Sequence, residues 1–204
     1  MANANVARGL IPYRYIWGAP YNGSVNIYYV PASYGTALYV GDPVDIISSS
    51  NDANGIPAVK LATVGSPVLG TIVSIIDGGQ PVLPVTRDLP VYHPASTAQY
   101  VAVADDPNLL FEIQDDASTQ ATAPNLWAGK NASLVSGSGS TVTGYSGWQL
   151  AASTVATTNT LDVKIIMPLQ QVDNVIGSTA NTNMNAKWLV KLNNSRFANQ
   201  IAGV

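Results

Sequence analysis

Turn-forming residues cut this chain into pieces too short for anything but β-structure. Gly occurs 17 times and Pro 13 times. They and Asn-Gly or Asp-Pro steps recur every 8–15 residues between short runs of β-prone side chains. The runs are Val25–Val30, Ala37–Val40, Val44–Ile46, Ala58–Ala62, Val68–Ile76, Tyr100–Ala104, Leu110–Gln114, Leu161–Leu169 and Ala186–Leu192. Gly41-Asp42-Pro43 and Asp105-Asp106-Pro107-Asn108 are turns by their chemistry. Asp77-Gly78-Gly79 stops the longest run, and Ser48–Gly55 reads as a polar loop. Glu occurs once, at Glu112, and Lys only at 60, 130, 164, 187 and 191. Long amphipathic helices use those residues on their exposed faces, so none is expected. The expectation is a mainly β fold: a β-barrel or sandwich core with an extended N-terminal arm and few short helices.

Three regions divide the chain. Residues 1–35 read as an extended arm. Pro12, Pro20 and Pro31 keep it from helix, and Tyr13, Tyr15, Trp17, Tyr21, Tyr28 and Tyr29 lie between them. Such aromatic density means either a first strand packed on its own core or an arm that docks on a neighbour. Residues 36–192 form the β-rich core, with a flexible Gly/Ser loop near 136–147 and a short helix within Thr119–Ala128 broken by Pro124. Residues 193–204 read as a tail ordered by docking. In Leu161–Leu169, Asp162 and Lys164 alternate with the apolar Leu161, Val163 and Ile165, which predicts a solvent face for the charges.

Composition excludes several classes of function. The chain has no Cys and one His, which removes thiolate zinc sites, iron–sulfur clusters, Cys nucleophiles and multi-His metal sites within one chain. The net charge of −3, without a Lys/Arg cluster, is wrong for a nucleic-acid partner. The N-terminus lacks a signal-peptide pattern and no apolar run is long enough for a membrane-spanning helix, so neither export nor a membrane is expected. Charged residues make up 10% of the chain, against about 25% in average proteins. An exterior of neutral hydroxyls and amides suits a subunit packed beside copies of itself, because like charges then do not accumulate. A neutral-surfaced secreted or periplasmic domain is the alternative.

Catalytic patterns are thin. His93 in Val91-Tyr92-His93-Pro94 has no Gly-x-Ser-x-Gly elbow to serve, and reads as a packed turn residue. Asp105-Asp106 and Asp115-Asp116 flank one strand, and neighbours on a strand face opposite ways. Solvated turn aspartates are the reading, and no Ca²⁺-binding Asp-x-Asp-x-Asp-Gly loop is present. Gly137-x-Gly139-x-x-x-x-Gly144 lacks the Lys and Ser/Thr of a phosphate-binding loop. The expectation is therefore no enzyme, no cofactor and no metal.

Several segments together resemble one family. They are Met1–Asn5 with Gly9-Leu10-Ile11-Pro12, Tyr28-Tyr29-Val30-Pro31-Ala32, Val40-Gly41-Asp42-Pro43-Val44, Val101–Asp115, Ala128-Gly129-Lys130-Asn131, and Asn185–Asn194. Across nearly the whole chain the sequence is similar to the cement, or head-decoration, proteins of tailed bacteriophages, notably short-tailed ones. Val101–Asp115 carries the likeness most specifically. The resemblance implies a β-rich structural protein made in the bacterial host cytoplasm and bound to the outer surface of the virion's icosahedral capsid. There it would clamp neighbouring major-capsid-protein capsomers against internal DNA pressure. It also implies self-association, with a homotrimer favoured over a dimer, and no catalytic residues. The anchors expected to reach the capsid protein or a sister copy are Tyr13, Tyr15, Trp17, Tyr21, Tyr28 and Tyr29 in the arm, with Trp188, Arg196 and Phe197 near the C-terminus. Two other classes stay open: a carbohydrate-binding or adhesin-type virion surface module, and a hydrolase using Asp105, Asp106 or Asp116.

Overall fold

The computed structural model describes residues 3–76, 90–116, 122–180 and 184–198. The strands are β1 (Ile11–Tyr15), β2 (Asn26–Val30), β3 (Leu38–Tyr39), β4 (Pro43–Asn51), β5 (Pro57–Leu61), β6 (Gly70–Ile76) and β7 (Tyr92–His93). They continue with β8 (Gln99–Ala104), β9 (Leu109–Gln114), β10 (Asn131–Ala132), β11 (Leu134–Val135), β12 (Gln149–Leu150), β13 (Val163–Pro168) and β14 (Lys187–Leu192). Helix among the described residues is limited to single 3₁₀ turns at Pro124–Leu126 and Ala152–Thr154. The expected mainly β fold with a barrel is what the chain forms.

Two β-systems share the molecule. One is a closed barrel in the order β2-β5-β4-β6-β8. The other is a five-stranded antiparallel sheet in the order β1-β9-β14-β13-β10. A ring of five strands cannot alternate direction all the way round, so one neighbouring pair must run parallel. That pair is β2 and β5, joined through Tyr29 and Ala58. The barrel interior holds Val30, Leu38, Val44, Val59, Leu69, Ile72, Ile75, Val101 and Val103, all at most 1% exposed. Period-two alternation explains this filling, because Val101 and Val103 share one face of β8. The opposite face of β8 is also covered, and there Ala102 and Ala104 leave room for the layer above. A second core lies on the sheet, where Leu10, Phe111, Trp127, Trp148, Ile165, Trp188 and Val190 pack together. The turn Asp105–Asn108 carries the chain directly from the barrel (β8) to the sheet (β9).

Several expectations are corrected by the packing. Over its described residues, the segment 1–35 is woven into its own subunit: β1 lies beside β9, and β2 lies between β5 and β8. The polar stretch Ser48–Asn51 is strand, and only Asp52–Gly55 turns. The Asp52 carboxylate builds that turn by accepting from the N–H groups of Asn54 and Ile56. Asp162 does not face solvent. It is 1% exposed, and its carboxylate accepts the N–H of Gly65 at 2.9 Å and of Leu134 at 2.8 Å.

Glycines of the Gly/Ser stretch 136–147 are tightly fitted. A Cβ on Gly137 would stand 2.1 Å from the Gly147 carbonyl oxygen, and one on Gly139 would stand 2.2 Å from the Tyr39 ring. Glycine is needed there for close approach, which composition alone reads as looseness. The tail is docked over 193–198: Ser195 bridges Val68 in parallel, and Arg196 pairs with Asp45 on β4. The expected helix in Thr119–Ala128 reduces to the single turn at Pro124–Leu126. Residues 119–121 of it, the Asp77–Gly79 stop and tail residues 199–204 lie outside the described residues.

Candidate functional site

A hairpin built on β1 carries neighbouring exposed apolar side chains at its tip. β1 pairs with β9 from Ile11 to Tyr15, with an irregularity between Pro12 and Arg14. The chain then reverses. Tyr15 N–H donates to the Ala19 carbonyl at 2.8 Å, Gly18 N–H to the Tyr15 carbonyl at 3.0 Å, and Arg14 bridges Pro20. Gly18 has φ +95°, a backbone that a side chain would strain. Ile16 and Trp17 therefore stand at the apex, 51% and 63% exposed, with Tyr13 behind them at 44%. The indole is not loose: it stacks on Tyr15 with centroids 4.9 Å apart and planes 3° from parallel. A second tether runs from Ile16 N–H to the Asn108 carbonyl at 2.9 Å, so the tip is fixed to the turn between β8 and β9. Alongside, Arg14 Nη2 points at Met167 Sδ at 3.6 Å.

The structure separates the expected anchors. Tyr13, Tyr15, Trp17 and Tyr21 belong to this one hairpin, where Tyr21 is half-buried and Tyr15 is buried beneath Trp17. Tyr28 is buried in the barrel wall and donates to Asp105 Oδ2 at 2.6 Å. Burial, then that hydrogen bond, pushes its phenol well above the ordinary tyrosine value. Tyr29 is half-buried against Tyr100. Trp188 is 1% exposed, stacks on Trp127 at 4.9 Å, and donates from Nε1 to Asp115 Oδ2 at 3.2 Å. Tyr15, Tyr28 and Trp188 are thus used inside their own subunit. Arg196 is held by Asp45, and Phe197 beside it is 54% exposed on the barrel side of the molecule. Ile16 was missed by sequence reasoning. Its signal was an apolar pair, Ile16-Trp17, directly before Gly18 in a turn, where polar residues are the rule.

The candidate aspartates and His93 serve the scaffold. Asp105 also accepts from Asn26 Nδ2 at 3.0 Å, and Asp106 caps the Asn108 N–H at 2.7 Å. Asp115 accepts the Ala186 N–H, and Asp116 the Ala152 N–H, both at 3.2 Å. His93 is fully buried with Nε2 2.7 Å from the Thr97 carbonyl, and burial lowers its pKa. Among the described residues, no group of three or more His, Asp or Glu stands close enough to hold a metal ion.

Two cavities stand out among the described residues. One, of about 250 Å³, lies between the N-terminal segment and the β9–β14 face, where Gln114 clamps Val6 N–H and the Ala4 carbonyl. The other, of about 240 Å³, lies beside β3 and is lined by Tyr39, Asp42, Ser138 and Trp148 among others. Asp42 is 2% exposed, and burial raises its carboxyl to about 6 against the lowering pull of hydrogen bonds from Ser146 and the Tyr39 N–H.

The fold and the hairpin define a class, a closed five-stranded barrel joined by a turn to an antiparallel sheet and carrying an apolar hairpin tip. Compared with known protein families, curated proteins and solved structures, the chain matches none.

Proposed function

We propose that this chain is a structural capsid decoration protein. It binds the outer surface of an icosahedral phage head as a homo-oligomer, a trimer by preference, and holds neighbouring capsomers together through the Trp17 hairpin. The observation that carries the reading is the exposure of Ile16 and Trp17 at the apex of a braced turn. A rigid aromatic tip loses little conformational freedom on docking. Covering both side chains is worth roughly 2–4 kcal/mol. That is weak for one copy, and repetition over a shell multiplies it through multivalency. The sparse charge of the exterior supports the same reading, since close-packed copies then repel little. So does the resemblance to cement proteins across Val101–Asp115, the segment that runs from the barrel through the turn bracing the tip.

The test is co-sedimentation with expanded heads of the parent phage, using Trp17→Ala with Ile16→Ser. The double variant is expected to bind roughly tenfold more weakly or worse while unfolding like the wild type. Undiminished binding removes the tip from the mechanism. Saturable binding of oligosaccharides by the isolated wild-type protein, lost in the same variant, would favour the adhesin reading, in which the bared indole face takes a sugar ring.

A further inference from the structure

We propose that the cavity beside β3 is a socket for one alkylammonium group, a lysine side chain delivered by a protein partner. Its lining includes the aromatic residues Tyr39 and Trp148, the hydroxyl-bearing Thr36 and Ser138, and the acid Asp42. The lining among the described residues contains one acid and no Lys, Arg or His. Of the cations flanking Asp42 in the chain, Lys60 on β5 is exposed, and Arg8 places its guanidinium over the Tyr145 ring at 5.2 Å. Asp42 is thus a buried acid with hydrogen bonds and, among the described residues, no countercharge in the cavity lining. The hydrogen bonds leave room for more: a carboxylate has about four acceptor positions, and Tyr39 N–H takes one on Oδ2 at 2.8 Å. Its raised carboxyl value reports the same deficit, because burial leads the causes and no cation is among them.

The chemistry selects ammonium over guanidinium. An arginine fork needs both carboxylate oxygens presented together, and here Tyr39 N–H and Ser146 already engage the group from within the fold. A point charge on a flexible stem needs only one free lone pair. Aromatic rings attract such a charge, and a four-carbon stem packs along aromatic and aliphatic side chains while its head stays with polar groups. A volume of about 240 Å³ takes one such side chain. The socket is also fixed: Gly139 sits against the Tyr39 ring too closely for any Cβ, and Tyr39 stacks on Tyr92 at 5.4 Å. This inference does not depend on the capsid reading, and its test needs only the isolated protein.

The experiment is a ¹H–¹⁵N titration at pH 7.5 with three probes: n-butylammonium chloride, n-butanol, and the blocked peptide acetyl-Gly-Lys-Gly-amide, at matched ionic strength. Saturable shifts are expected at Tyr39, Asp42, Ser138, Gly139 and the Trp148 indole with the two cations and not with butanol. Asp42→Asn is expected to weaken them at least roughly tenfold. Tighter binding of the peptide than of butylammonium assigns the site to a partner's lysine. Tighter binding of the free amine overturns that assignment. Equal shifts with butanol, no saturable shift, or undiminished binding by Asp42→Asn overturns the socket altogether. The wild-type arms decide the charge requirement even if the variant fails to fold.

Discussion

Arg196 grips Asp45 across 151 positions of sequence, with Nε 2.9 Å from Oδ1 and Nη2 on Oδ2. This two-pronged ion pair fastens the described end of the chain to barrel strand β4. Asp45 is largely buried, its side chain 10% exposed, while Arg196 keeps 39% of its side chain in solvent.

Removing the cation strands a buried carboxylate. Arg196→Met is expected to cost about 1–3 kcal/mol, below the range for fully buried pairs because solvent screens the arginine. Urea unfolding measures it. Asp45→Asn in the same chain should recover part of the loss, and a strictly additive pair of losses would mean the two side chains do not interact.

Asp42 makes the fold more stable in acid. Its folded value of about 6 lies above the ordinary 3.8, so the folded state takes up a proton between those values that the unfolded state does not hold as tightly. The stabilisation is complete below the unfolded value and disappears as pH rises through about 6. Two units correspond to roughly 3 kcal/mol at most. Asp42→Asn should therefore exceed the wild type in stability at pH 7.5 and lose the advantage at pH 4. Denaturation curves of the pair at the two pH values check this, and a difference independent of pH would refute it.

Gly9 and Gly18 share left-handed backbone and differ in surroundings. A Cβ on Gly9, at φ +70°, would stand 2.1 Å from the Gly41 carbonyl oxygen, whereas Gly18 has nothing within 4 Å. Gly9→Ala should cost roughly 3–5 kcal/mol and Gly18→Ala only about 1 kcal/mol. Thermal melts of the two variants side by side give the comparison, and equal losses would contradict the packing at Gly9.

Cutting away residues 1–20 is expected to damage the fold and not merely detach an appendage. It removes Leu10, which is fully buried, and strips β1 from β9, leaving a sheet edge and an apolar floor open. Weakened near-ultraviolet dichroism with strong dye binding to exposed apolar surface is the expected signature. A native-like spectrum from the truncated chain would mean that β9 is closed without β1.

The sequence makes the longer core strands legible, but not β1, β7 or β10 to β12, and it leaves the neighbours of every strand illegible. Runs such as Gly70–Ile76 and Lys187–Leu192 stand out because β-branched and aromatic residues cluster between turn signals. Nothing local reveals that β14 slots between β9 and β13, or that β5 closes the barrel on β2 in parallel. Asp162 looked solvent-facing because its partners, the N–H groups of Gly65 and Leu134, are remote in sequence. Half of the hairpin site was readable. The aromatic cluster is evident, but alternation would put Tyr13, Tyr15 and Trp17 on one face. The irregularity after Pro12 and the reversal after Tyr15 break that alternation, burying Tyr15 and exposing the other two.

The place of β14 has a consequence for synthesis. It is the last strand among the described residues and sits near the middle of its sheet, between β9 and β13. Until it has left the ribosome, both of those strands wait with open hydrogen-bonding edges, and Trp127 lacks the ring it stacks upon. A nascent chain of this kind acquires its second core late and nearly at once, and it needs shelter from other nascent chains until then.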